Sequence, residues 1–182
     1  FAGSGKPGIH DLEDGVIIMA GKNVRKGIRL DGATIRDWMD NPDTRRVRVA
    51  KEFVKFSERT IILLHGDMRA YNYVVIPTYD FDQVQFRIRA MDFDQQSFEG
   101  KLKVYRPQFF KDNYPFVKMV ENNLGKESVD QYKKEERSAL AKRLKSSHNR
   151  IRRLLKCMKN DHISTPENIE NLKKELVDYT HD

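Results

Sequence analysis

The feature that most restricts how this chain can fold is the alternation over residues 84 to 91. Val84, Phe86, Ile88 and Ala90 interleave there with Gln85, Arg87 and Arg89. A strict period of two marks a strand with one buried face. Just upstream, Tyr73-Val74-Val75-Ile76-Pro77 forms a second apolar, β-branched run. Thr78 to Asp82 reads as a turn between them, so the two runs predict an antiparallel hairpin. A hairpin brings the start of its first strand beside the end of its second. Here the flanking residues are Asn72, at the end of His65-Gly66-Asp67-Met68-Arg69-Ala70-Tyr71-Asn72, and Asp92, at the start of Asp92-Phe93-Asp94. Two oxygen ligands for a divalent cation and one carboxylate base are therefore expected at one end of the hairpin. The plainer alternative is that Asp67, Asn72 and Asp92 are turn residues beside strands, where Asp and Asn are common.

Length and composition are compatible with such a site. A chain of 182 residues fits one domain with a helical extension and can bury most of its apolar surface. It lacks both a run of membrane-span length and an opening secretory signal, so a cytoplasmic location is expected. The single Cys157 permits neither an internal disulfide nor a cysteine metal site. This is a basic protein, with net charge +7 and pI near 9.4, which favours nucleic acid, nucleotide phosphates or an acidic protein as partner. The excess is uneven: residues 126 to 159 hold 12 Lys and Arg against 4 Asp and Glu. The chain opens on Phe1 rather than Met, and part of the natural chain is expected upstream.

Along the chain, residues 1 to 14 are glycine-rich and read as a flexible lead-in. Gly3, Gly5 and Gly8 match a dinucleotide-binding pattern, but no strand precedes them and Pro7 opposes a helix there. Gly5-Lys6 lacks the following Ser or Thr of a phosphate loop. Gly15 to Met19 predicts a strand and Lys26 to Leu30 a second, followed by a helix over 33 to 39 with Trp38 in the core. Asn41-Pro42-Asp43 is expected to open another helix, reaching Ser57-Glu58. It would turn Val47, Ala50, Phe53 and Val54 inward and Arg45, Arg46, Arg48, Lys51 and Lys55 largely to solvent. Thr60 to Leu64 reads as a buried strand or the approach to a buried loop. Beyond the hairpin, Gln95 to Pro107 looks irregular, and Gln108 to Leu124 looks helical with an interruption at Pro115. A long helix is expected from Ser128, with Leu140, Leu144, Ile151, Leu155 and Met158 as its apolar stripe and His148 packed on or beside it. Thr165-Pro166 supplies a cap and first turn for a closing helix carrying Ile169, Leu172 and Leu176.

His65 to Asn72 followed by Met91-Asp92-Phe93-Asp94 resembles the catalytic and metal-binding loops of the protein-kinase-like superfamily. Its His-Gly-Asp form and the acidic residue closing Asp-Phe-Asp are closer to aminoglycoside- and choline-type small-molecule kinases than to typical protein kinases, which use His-Arg-Asp and Asp-Phe-Gly. The resemblance implies an α+β fold: a mainly helical kinase-like large lobe, a short β-hairpin carrying the catalytic and metal loops, and a few N-terminal strands. It implies phosphotransfer from ATP with Mg2+ to an acceptor hydroxyl that the sequence does not identify. Asp67 would be the catalytic base, and Asn72 and Asp92 the magnesium ligands, with Asp92 bridging the nucleotide phosphates. Arg69 would stand near the transferred phosphate, His65 would support the loop, and Asp94 would reach a second metal.

On this reading residues 1–30 are a lead-in with remnant small-lobe strands, 31–160 the large lobe, and 161–182 the closing helix. A complete kinase also needs a nucleotide-covering loop and a strand lysine paired with a helix glutamate. Lys22 and Lys26 are candidates for that lysine by order alone. Three explanations compete: a small lobe upstream of Phe1 or on a separate chain, a minimal lobe, or a catalytically incomplete kinase-like protein. Lys101, Lys103, Arg106 and Lys111 come after Asp92 where kinases keep their substrate segment, which suits an acidic or phosphorylated acceptor. The rival from another class is a binding module that uses the basic helix 128–160 for nucleic acid or an acidic partner. Arg143, Arg150, Arg152, Arg153 and Lys156 would then track phosphates. The apolar stripe, scarce aromatics and interspersed Glu135 and Glu136 weigh instead for a solvated helix packed on the lobe.

Overall fold

A computed structural model describes residues 9–12, 15–20, 23–29, 45–80, 83–95, 102–160, 162 and 164–181. The expected helix with Trp38, the Pro42 start and the glycine pattern at 3–8 lie outside them. The described chain is mixed α+β and mostly helical. Its strands are β1 (Ile9–Leu12), β2 (Gly15–Ala20), β3 (Asn23–Arg29), β4 (Tyr73–Asp80) and β5 (Gln83–Ala90), in one antiparallel sheet of order β1-β2-β3-β4-β5. Within residues 1 to 14, expected to be a lead-in, Ile9–Leu12 pairs with β2, Ile9 opposite Ile18. Pairing with a neighbour, which local composition does not reveal, orders that backbone.

The hairpin forms as the alternation requires, in the register Tyr73 opposite Ala90 and Val75 opposite Ile88. Its strands run further than expected. Asp80 pairs with Gln83, so Thr78 to Asp80, expected in the turn, belong to β4.

Helix α1 (Arg46–Ile62) packs on this hairpin. Val49, Ala50, Phe53 and Phe56 make its buried stripe, joined in one core by Tyr73, Val75, Ile88, Phe116 and Met119. Phe53 and Phe116 stack with ring centres 5.0 Å apart. Val47, expected inward, is 52% exposed, because the stripe that meets the sheet is centred on Val49. Of the two readings of Thr60 to Leu64, the strand does not form: the segment is the last turn of α1 and its C-terminal cap, leading into the His65 loop. β-branched residues at the end of a helix whose neighbours bury them mimic a buried strand.

An open edge strand invites unwanted pairing, and here α1 covers the outer edge of β5 with charged side chains. Arg48 donates to the carbonyl of Val84 at 2.6 Å. The Ile88 N–H donates to Glu52 Oε1 at 3.0 Å, and Arg59 donates to the Ile88 carbonyl at 3.1 Å. Arg59 also pairs with Glu52 at 2.6 Å and Glu136 at 3.2 Å. This part-buried cation has a carboxylate on either side, so each carboxylate has the same guanidinium as its partner, and Glu52 also accepts from the Ile88 N–H.

Helix α2 (Tyr114–Asn123) carries Pro115 in its first turn, where the missing N–H is harmless, so the expected interruption is a helix start. The expected single long helix is two, α3 (Lys126–Ser146) and α4 (His148–Met158), with the break at Ser147. α3 lies along α1: Lys55 pairs with Glu135 at 2.8 Å, Arg137 with Glu58, and Lys51 sits 4.5 Å over the Tyr132 ring. Arg48, Lys51 and Lys55, expected on a solvated face, thus reach β5 or α3. His148, expected in or beside the packed stripe, is exposed. Helix α5 (Pro166–His181) begins as expected, with the Asn168 N–H donating to Thr165 Oγ1 at 3.2 Å, and buries Ile169, Leu172 and Leu176. Among the described residues no helix is long and apolar enough to cross a membrane.

Candidate functional site

The loop after α1 is aimed by the way that helix ends. Leu64 adopts a left-handed conformation, φ 50°. The His65 N–H donates to the Thr60 carbonyl at 2.8 Å and the Leu64 N–H to the Ile61 carbonyl at 3.2 Å. These two bonds form the Schellman closure, usually built with glycine at the left-handed position. With leucine there the turn carries roughly 1 kcal/mol of strain. It turns the chain sharply away from the helix axis and into His65.

The next residues are gripped from both sides. The Gly66 N–H donates to the Gln95 carbonyl at 3.2 Å and the Asp67 N–H to the Val104 carbonyl at 3.1 Å. Gly66 is required by this approach, because a Cβ there would lie 2.7 Å from the Gln95 carbonyl oxygen. Asp67 also takes a left-handed conformation, φ 51°, which Asp tolerates better than most residues. Strained backbone that its surroundings over-determine is characteristic of functional loops.

Behind the loop lies a latch. Asn113 is fully buried and donates to the carbonyls of Met68, at 2.9 Å, and Pro107, at 2.8 Å. Its Oδ1 accepts from the Tyr73 hydroxyl at 2.7 Å. Burial, and secondarily the nearby Asp112, pushes the Tyr73 pKa well above its usual range, so the phenol keeps its donor proton. Sequence reasoning points to neither residue. Asn113 stands before Tyr114-Pro115 and looks like a helix-start residue, and nothing near it in sequence points forty positions back.

In front, three of the expected residues meet. Arg69 Nε donates to Asp67 Oδ1 at 3.1 Å, and its Nη1 lies 3.8 Å from Asp112. The same guanidinium stands 5.2 Å over the Phe110 ring. Asn72 donates through Nδ2 to the Asp67 carbonyl at 2.7 Å, with Asp67 Oδ2 at 3.4 Å. The hairpin sets the fourth: the Met91 N–H donates to the Asn72 carbonyl at 2.9 Å, leaving Asp92 as the next residue along. Asp92 and Asp94 are both exposed, and the Asp94 N–H donates to Asp92 Oδ1 at 3.2 Å.

His65 is half-buried, its ring edge-on to Phe93 with centres 5.0 Å apart. Burial first, and then the positive charge of Arg59, lower its pKa to about 4. It is a neutral packing residue at pH 7, as suits a loop support. Of the expected lysines, Lys26 lies on β3 opposite Ile17 and Lys22 is outside the described residues. In the segment after Asp92, Lys111 is exposed and the Arg106 guanidinium lies 5.9 Å from the Phe109 ring centre.

Amide and carboxylate oxygens are the kind of donor a hard cation takes. Asn72 Nδ2 is engaged by Asp67, which leaves the carbonyl end of that side chain for a cation. Asp92 adds a carboxylate. Magnesium is commonly held by one or two protein oxygens, with phosphate and water oxygens completing its shell. Among the described residues no group of three or more His, Cys, Asp or Glu could hold a metal ion, so any cation here depends on ligands beyond such a cage. Comparison of the chain with protein-family models, curated proteins and solved structures gives no match.

Proposed function

We propose that this chain carries the catalytic half of a kinase-like phosphotransferase that uses ATP with magnesium. The observation that carries the reading is the joint placement of Arg69 and Asn72 on Asp67, in a loop locked on its other side by Asn113. Phosphoryl transfer asks a protein chiefly for positioning and charge neutralisation. Asp67 accepts the proton of the acceptor hydroxyl as that oxygen bonds to the γ-phosphorus and the bond from phosphorus to the β,γ-bridging oxygen breaks, releasing ADP. Arg69, already beside Asp67, is placed to neutralise charge on the moving phosphoryl group. Asn72 and Asp92 would hold magnesium, which when bound supplies charge neutralisation to the nucleotide phosphates.

Thermal denaturation with nucleotide tests this directly. A ligand that binds only the folded state, at one hundred times its Kd, stabilises by about 2.7 kcal/mol. A rise in Tm of several degrees is expected with ATP plus Mg2+, absent when EDTA replaces the metal and lost in Asp92→Ala. Transfer or hydrolysis of the γ-phosphate should fall at least about a hundredfold in Asp67→Asn. No magnesium-dependent shift, or a shift untouched by Asp92→Ala, overturns the reading. A shift without turnover confines the site to nucleotide binding.

A further inference from the structure

We propose that the groove between α3, α4 and α5 docks an acidic amphipathic helix of a partner protein. This rests on a surface separate from the Asp67 loop and stands whether or not that loop transfers phosphate. The groove has a volume of about 480 Å3 and an apolar floor of Leu144, Ile151, Leu155 and Leu176. Its size lies in the range of ligand-sized clefts, roughly 300–1,000 Å3.

α4 is the incomplete element. It is 11 residues long and none of them is buried. A helix this short is marginal without tertiary packing of its apolar face. Yet Ile151, Leu155 and Met158 are only half-covered and Leu154 is 57% exposed. A second helix laid along the groove would supply the missing packing.

Charge selects among the occupants. Lys145, Arg152 and Lys173 rim the groove, and no acidic residue lines it among the described residues. Lys173 reaches Glu170 on its own helix at 3.1 Å. α4 itself carries Arg150, Arg152, Arg153 and Lys156 without a single acid. A second copy of this chain would bring like charge against like. A phosphate backbone has no use for a leucine floor, and a flat bilayer does not enter a cleft walled by three helices. An acidic helix with apolar residues at i, i+3 or i+4, and i+7 matches both floor and rim.

The probe is a fluorescein-labelled peptide of about 18 residues with leucine at that spacing and glutamate elsewhere, titrated into the full chain. A peptide of the same composition with the leucines scattered should bind about tenfold more weakly, and so should the helical peptide to Leu155→Glu. Because Leu155→Glu can disturb folding, Lys145→Glu with Arg152→Glu, both exposed, provides a second arm. That pair should weaken the glutamate peptide about tenfold while leaving a glutamine-for-glutamate version unchanged, and raised salt should weaken the wild-type complex. Equal binding of the scattered peptide overturns the proposal. So does tighter binding to phosphatidylserine vesicles or duplex RNA than to the peptide, or a dimer in sedimentation that Leu155→Glu dissociates.

Discussion

The side-chain amide of Asn72 donates to the main-chain carbonyl of Asp67 at 2.7 Å, across the left-handed turn that presents the Asp67 carboxylate. Asn72 therefore holds Asp67 chiefly by its backbone, with a longer contact of 3.4 Å to Asp67 Oδ2, while Oδ1 accepts from Arg69. Asn72→Ala removes that donor next to a partly buried carbonyl, a loss of about 1–3 kcal/mol. For a chain of this size each kcal/mol lowers Tm by about 2–4 °C, so calorimetry should show a drop of several degrees. Asn72→Asp should do no better at pH 7, because it replaces the donor with a second carboxylate beside Asp67. An unchanged melt in Asn72→Ala would mean that the bond does not hold the loop.

The latch behind the loop should behave as one unit. Asn113→Ala strands the carbonyls of Met68 and Pro107 and the Tyr73 hydroxyl in the core, and about 2–4 kcal/mol of stability should go. Tyr73→Phe removes one partner of Asn113 only, at about 1–2 kcal/mol. Because the two share a bond of 2.7 Å, the double variant should lose less than the sum, with a coupling of about 1 kcal/mol. Chemical denaturation of the four proteins measures it, and strict additivity would rule out a shared network.

How much of this is legible in the sequence differs from residue to residue. The hairpin is, because a period of two has one structural meaning over eight residues. Asp67, Arg69 and Asn72 are legible as a group because five positions of chain bring them together, and Asp92 because the hairpin returns it. The end of α1 is not: its left-handed closure stands at Leu64, where a sequence reading looks for glycine. The latch is not, since Asn113 meets Met68 only after α1, the hairpin and α2 have packed. Lys55 and Glu135 are likewise eighty residues apart, and a charge reads as solvated until its partner is known.

Gly66 should admit no side chain. A Cβ would stand 2.7 Å from the Gln95 carbonyl oxygen and 3.0 Å from Val104 Cγ1, and the first is backbone, with little room to yield. Gly66→Ala should cost about 1–3 kcal/mol, as overpacking does elsewhere. It should also push the loop away from Gln95, exposing the Gly66 and Asp67 amides. Hydrogen exchange reads this locally: faster exchange at both amides is expected, with protection in α1 little changed. Wild-type protection in Gly66→Ala would show that the contact is loose.

His65 sets a pH dependence. Its folded pKa of about 4 lies below the ordinary histidine value of 6.5. Between those values the unfolded chain binds the proton and the folded chain does not, so stability falls as pH is lowered through this window and is fully present above it. A shift of this size corresponds to at most roughly 3 kcal/mol, less as solvent screens the Arg59 charge. Carboxylates titrate at the lower end of the same range, so the informative quantity is the difference from His65→Gln, which cannot take up the proton. Denaturation midpoints should converge as pH drops from 7 to about 4.5, the wild type losing ground to the variant. Parallel curves would mean that His65 reaches water and titrates normally, and the loop would lose its neutral packing residue.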